Sequence, residues 1–189
     1  MVAVDFGTGD GRYVLETAAV RPAAFTIGVD ANADNLVEAS RRANAKPARG
    51  GLGNALFGVL SLEDAPGDLT GLADEITVLL PWGSLLGAVA TAGPLGGLAQ
   101  IAKPDATLRI VFGYGAADGQ RTRDLALPPN DDRDFAPNLA AGYRRAGFDV
   151  VVRAIPTTLV ATLPTTWAKK LTHAGRDRAY FEIVGRKID

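Results

Sequence analysis

The opening 30 residues constrain this chain more than any other stretch. Val2-Ala-Val-Asp5-Phe6 is a short apolar run ending in an acid and an aromatic, and Gly7-Thr-Gly9-Asp-Gly11 follows at once. Arg12 to Val20 reads as a helix, and Pro22 ends it. Phe25-Thr-Ile27-Gly-Val29-Asp30 is a second apolar run closed by an acid. A strand, a glycine turn, a helix and a second strand make a repeating α/β unit.

The alternation continues. Ala33 to Ala45 is predicted helical up to Lys46-Pro47, with Leu36, Val37 and Ala43 as its apolar stripe and Glu38, Arg41 and Arg42 facing water. Asn54 to Leu60 and Ile76 to Leu80 are the third and fourth strands. Leu85 to Ala102 is a helix interrupted by glycines and Pro94, and Thr107 to Phe112 is a fifth strand. A helix over Phe135 to Ala146 precedes strands at Phe148–Ile155 and Ala179–Gly185, with a short helix near Trp167 between them. Such alternation predicts a mainly parallel, doubly wound seven-stranded α/β sheet, with one late strand inserted antiparallel. No linker divides the chain, so residues 1–189 are expected to form a single domain. Gly115 to Asn130 is the longest irregular segment, and loops of that length are often functional.

Composition excludes several classes. With 47% hydrophobic and 22% charged residues the chain is globular rather than disordered. It has no cysteine, which removes disulfides, thiolate metal sites and a cysteine nucleophile. The lone His173 excludes a multi-histidine site. No apolar run approaches the ~20 residues needed to span a bilayer. The N-terminus lacks the basic flank of a signal peptide. A cytoplasmic protein without a metal or a membrane partner is expected. The net charge of −1 gives no global attraction to nucleic acid, so such a partner must be held by a local patch.

The chemistry of the glycine turn is steric. Glycines let the backbone pass close to a ligand, and the next helix offers unpaired N–H groups. Asp30, at the end of the second strand, is placed to accept ribose hydroxyls, and Glu63 to border an adenine ring. The bland readings are a tight turn, a helix cap and a solvated loop acid. A dinucleotide site prefers Gly-x-Gly-x-x-Gly, whereas here the third glycine comes one residue early and Asp10 sits inside the turn. Asp5 and Asp10 repel phosphate and suit the sulfonium and ammonium of S-adenosyl-L-methionine, so a methyl donor is favoured over NAD.

Leu79-Leu80-Pro81-Trp82-Gly83-Ser84 leaves the fourth strand where open α/β sheets bind ligands. It is similar to the Pro–aromatic turn with which methyltransferases of base nitrogens stack their target. The second tryptophan, Trp167, sits in a basic segment: from there to Asp189 there are six Lys/Arg against three acids. Lys46, Arg49 and the loop arginines Arg121 and Arg123 are candidates to extend that patch. The alternatives are core tryptophans and a solvated charged surface.

Together these residues resemble the Kam-type aminoglycoside-resistance 16S rRNA methyltransferases. The resemblance rests on Val4-Asp-Phe-Gly-Thr-Gly-Asp-Gly11, Val29-Asp30, Ala45-Lys-Pro-Ala-Arg-Gly-Gly51, Leu80-Pro-Trp-Gly-Ser-Leu-Leu86, Thr165-Thr-Trp167 and Arg176-Asp-Arg178. It implies a Rossmann-like S-adenosylmethionine-dependent fold and methylation of N1 of adenine 1408 in the decoding site of the 30S subunit. By that resemblance Gly7, Thr8, Gly9, Asp30, Glu63, Leu80, Ser84 and Thr165 are cofactor-side residues. Trp82 and Trp167 clamp the flipped adenine, and Lys170, Arg176 and Arg178 bind rRNA. A monomer is expected. Family members carry a short extension before the first strand, which here begins at Val2; a late start or a missing rRNA-docking element is therefore expected. A methyltransferase of another RNA or of a small molecule, and a non-catalytic cofactor-binding protein, are the alternative functions.

Overall fold

A computed structural model describes residues 1–115, 118–173 and 178–188; the side chains of Arg121 and His173 are also outside the description. The strands are β1 (Val2–Phe6), β2 (Phe25–Asp30), β3 (Ala55–Val59), β4 (Ala73–Leu79), β5 (Ala102–Tyr114), β6 (Phe148–Ile155) and β7 (Ala179–Lys187). The helices are α1 (Arg12–Val20), α2 (Ala33–Ala43), α3 (Gly83–Thr91), α4 (Gly96–Ile101), α5 (Gly119–Asp124), α6 (Phe135–Arg145), α7 (Thr157–Val160) and α8 (Thr166–His173).

The strands form one sheet in the order β3-β2-β1-β4-β5-β7-β6. β7 is antiparallel to both β5 and β6, and the other pairs are parallel, as expected of an inserted late strand. Period-2 alternation divides the sheet residues between its two faces. Val4, Phe6, Ile76, Val78, Ile110, Phe112, Phe181 and Ile183 pack with α3, α4 and α6 in the main core. On the other face, Leu79, Val111 and Tyr180 pack with Val160, Leu163, Ala168 and Leu171 of the α7–α8 region. Leu15 of α1 and Ala39 and Ala43 of α2 form a third cluster over Phe57.

Local chemistry explains the boundaries. Asn32 caps α2, its side chain accepting the Asp34 N–H at 3.0 Å, with Asp34 in the first turn and Arg41 and Arg42 in the last, each sign suited to its end of the helix dipole. The stripe of α2 is Leu36, Ala39 and Ala43; Val37 is 64% exposed, a correction to the predicted face. The single helix expected between Leu85 and Ala102 is two. Ala92 stands at φ +49°, and Pro94, with no N–H to give, separates α3 from α4. β5 begins earlier than expected because Ala102 pairs with Ala73 before the register shifts to Glu75 and Thr107. The irregular segment contains α5. Among the described residues no helix is long and apolar enough to cross a membrane.

Candidate functional site

The site lies beyond the C-terminal ends of β1, β2 and β4. Gly7, Gly9 and Gly11 all have positive φ. A Cβ on Gly11 would stand 2.5 Å from the Ala39 Cβ and 2.6 Å from the Phe57 ring, so this glycine lets α1 seat on α2 and β3. A Cβ on Gly9 would meet nothing within 4 Å; here the turn opens onto free space. Asp30 closes that turn: one carboxylate oxygen accepts the Gly9 N–H at 2.9 Å, the other the Asn32 N–H at 2.9 Å and the Asn35 amide at 3.1 Å. Asp30 is thus not the N-cap of α2, because Asn32 holds that position.

Gly7, Gly9, Asp30, Glu63, Leu80 and Ser84 line one cleft of about 250 Å³, and both tryptophans stand on its rim. Two predicted cofactor residues do not line it. Thr8 is buried beneath the turn next to Asp5, and the Thr165 hydroxyl accepts the Ala168 N–H at 3.0 Å, capping α8. Asn35 and Ser61 line the cleft without having been foreseen. Their only sequence signal was proximity to Asp30 and Glu63.

Among the described residues, the cleft wall holds two carboxylates and no Lys or Arg. That donor set disfavours a pyrophosphate and fits a cationic cofactor. Beneath it, Asp5 is buried with Thr77 donating to its carboxylate at 2.6 Å. Burial pushes the Asp5 carboxyl up to about 6, against the opposing pull of the Thr77 and Thr8 hydroxyls.

Two different structures carry the tryptophans. Leu80 has φ +54° immediately before Pro81, a backbone state costing about 1–3 kcal/mol that persists only where its surroundings enforce it. Here the Leu80 N–H donates to the Val111 carbonyl at 2.7 Å and the side chain is buried in the α7–α8 cluster. The bend delivers Trp82 to the start of α3. Trp167, on α8, is 40% exposed. The two rings touch, with centroids 4.9 Å apart and planes at 45°. Van der Waals contact needs ~3.5 Å per face, so a base between them requires the rings to part to roughly 7 Å.

The basic residues divide. Lys170 is exposed, with Nζ 5.0 Å from the Trp167 ring centroid. Arg178 corrects the sequence reading: it is not a surface cation. Its side chain is 1% exposed, paired with Asp118 at 6%. Nε donates to one Asp118 oxygen at 2.9 Å and Nη2 donates to the other. The guanidinium lies 5.5 Å from the Trp82 ring centroid. Charge neutralised inside the fold could not be read from the motif Arg176-Asp-Arg178, because the partner lies 60 positions away. Arg176 is outside the described residues. Lys46 and Arg49 gather with Arg41 and Arg42 around one surface depression.

Known proteins agree with this geometry. The profile of the NpmA family, described as 16S rRNA (adenine(1408)-N(1))-methyltransferase, matches residues 1–186. A protein of that name from Escherichia coli is 32% identical over 189 residues, covering 97% of this chain and 86% of that one. One from Streptoalloteichus hindustanus is 34% identical over 186 residues, covering 97% and 84%. The crystal structure of the 16S rRNA methyltransferase KamB superposes with a TM-score of 0.87 at 32% identity, covering 100% of this chain and 88% of that one. A variant of the Catenulisporales acidiphilia 16S rRNA (adenine(1408)-N(1))-methyltransferase, solved with its cosubstrate SAM, gives 0.86 at 31% identity, covering 100% and 86%. A cleft lined by two carboxylates, a two-tryptophan rim and these alignments converge: the chain belongs to the 16S rRNA (adenine(1408)-N(1))-methyltransferase family.

Proposed function

We propose that this chain methylates N1 of adenine 1408 in 16S rRNA of the assembled 30S subunit, acting as a single-domain monomer in the cytoplasm, with aminoglycoside resistance as the consequence. The observation that carries the reading is the pair of tryptophans in contact at the rim of a cleft with acidic walls.

When bound, S-adenosylmethionine supplies an electrophilic methyl group. Asp30 would hold its ribose, Glu63 would border its adenine, and Gly9 leaves room beside its amino-acid part. The adenine N1 lone pair is already nucleophilic, so the protein needs no general base. Its work is to position the two reactants, which can supply several kcal/mol of rate acceleration. Extruding the base from its stack costs a few kcal/mol. Stacking on Trp82 and Trp167 returns ~1–3 kcal/mol each. The methylated base is cationic, and an indole face also favours that developing charge by roughly 0.5–2 kcal/mol. Lys170, and Arg176 by sequence, contribute phosphate contacts.

Primer extension across the decoding-site helix, after incubating 30S subunits with protein and S-adenosylmethionine, tests the reading. A stop at adenine 1408 is expected. Methylation of free RNA or of small acceptors in preference to 30S subunits would replace it, as would tight cofactor binding without transfer.

A further inference from the structure

Asp10 and Thr166 lie 156 positions apart and meet in the fold, the Thr166 hydroxyl donating to the Asp10 carboxylate. The other Asp10 oxygen accepts the Arg12 N–H at 3.3 Å. One carboxylate therefore ties the glycine turn and the start of α1 to the first residue of α8. The next residue of α8 is Trp167. The Thr165 cap on Ala168 orders the same helical turn. Ala168 and Leu171 also pack α8 into the smaller cluster beside β4, β5 and β7. Asp10 does not itself line the cleft.

We infer that Asp10 is a positioning residue for methyl transfer: through Thr166 it registers Trp167 against the cofactor cleft. The inference rests on the clamp reading above. The argument is one of geometry. The turn that seats the cofactor and the ring that seats the base must keep a common frame, because a misplacement of about 1 Å can cost ~100-fold in rate. A hydroxyl donating to a carboxylate is a charge-assisted bond, roughly twice as strong as a neutral one. The carboxylate also stands at the N-terminal end of α8, where negative charge is favoured.

The chain has two tryptophans, and they are the two in ring contact, so their exciton couplet in circular dichroism reports clamp geometry directly. Asp10→Asn, Thr166→Val, the double variant and Thr166→Ser are compared for that couplet, for 30S methylation at saturating cofactor, and for S-adenosylhomocysteine affinity by calorimetry. Thr166→Val should weaken the couplet and cut turnover by about tenfold or more, as expected for losing a hydrogen bond to a charged group; Asp10→Asn, which keeps an acceptor for the Thr166 hydroxyl without the charge, should move both signals in the same direction by less. Affinity for S-adenosylhomocysteine should stay unchanged. The double variant should be no worse than the worse single one, and Thr166→Ser should restore both signals. An unmoved couplet with normal turnover overturns the inference. So does a turnover loss that follows weakened cofactor affinity, or strictly additive losses. If Trp167→Ala stays active the clamp itself falls. If Trp167→Ala is inactive while the couplet ignores Asp10 and Thr166, only the positioning role falls.

Discussion

The two tryptophans of the rim occupy the same cleft but are held by opposite means. Trp82 is built in. A strained Leu80, a buried Pro81 and the buried Arg178–Asp118 pair all converge on it. Trp167 is tethered. It stands exposed on the eight-residue α8, held by the Thr165 cap and the Asp10–Thr166 bond. A clamp for a flipped base needs such asymmetry. One ring must define where the base stops, and the other must part from it by about 2 Å and return.

The largest expected effect tests how firmly Trp82 is built in. Asp118→Ala leaves the Arg178 charge buried without its carboxylate, and among the described residues Arg178 Nη1 has no other hydrogen-bond partner. Breaking a buried pair costs about 3–5 kcal/mol. At ~2–4 °C per kcal/mol for a chain of this size, melting should fall by roughly 10 °C. Asp10→Ala, on the tethered side, should move melting by far less. Equal falls in a thermal scan would erase the distinction.

Asp5 lies under the same built-in side, joining β1 to β4, the strand that leads into the turn bearing Trp82. Its carboxyl is raised from 3.8 to about 6 by burial. A raised carboxyl favours folding while protonated. That contribution, about 3 kcal/mol, is complete below pH ~4 and is lost as pH rises through about 6. Asp5→Asn keeps an acceptor for Thr77 without the charge. It should melt higher than the parent protein at pH 7.5 and equal to it at pH 4. A gap between the two curves that does not change with pH would show that Asp5 is not the titrating group.

Much of this was legible beforehand, and the gaps have physical causes. Short-range patterns gave the strands, the glycine turn, Asp30 and the inserted last strand, because alternation and turn chemistry act over a few residues. The break at Ala92 and the bulged start of β5 depend on pairing with distant strands. Within the site, Asp30, Glu63 and both tryptophans are brought together on one cleft, whereas Thr165 serves α8 and Thr8 lies beneath the turn. Arg178 shows the limit most clearly. A basic motif reads as surface charge until Asp118, from the segment after β5, neutralises it.

The tryptophans themselves give the next effect. Trp82→Ala and Trp167→Ala should each lower 30S methylation by roughly 10–100-fold, the loss of ~1–3 kcal/mol of stacking. Melting should separate them. Trp82→Ala removes a half-buried ring that packs beside Leu80 and Arg178, while Trp167→Ala removes one that is 40% exposed and should leave melting almost unchanged. Cofactor affinity should survive Trp167→Ala. A large loss of stability in that variant would mean the second ring is core after all.

The smallest effect sharpens the comparison through charge. Each ring has a cation near it: Lys170, exposed, at Trp167, and Arg178, buried and paired, at Trp82. Only an accessible cation can neutralise a phosphate and release a counterion. Lys170→Ala should therefore lower the slope of log affinity against log salt for 30S binding by about one and weaken binding only modestly. Its contact with the Trp167 face adds about 0.5–1 kcal/mol at an exposed site, too little to alter melting measurably. Arg178→Met should leave the salt slope alone while disturbing Trp82 and the fold around it. If the two substitutions lower the slope equally, Arg178 must reach rRNA by leaving Asp118, and the side described here as built in would have to move as well.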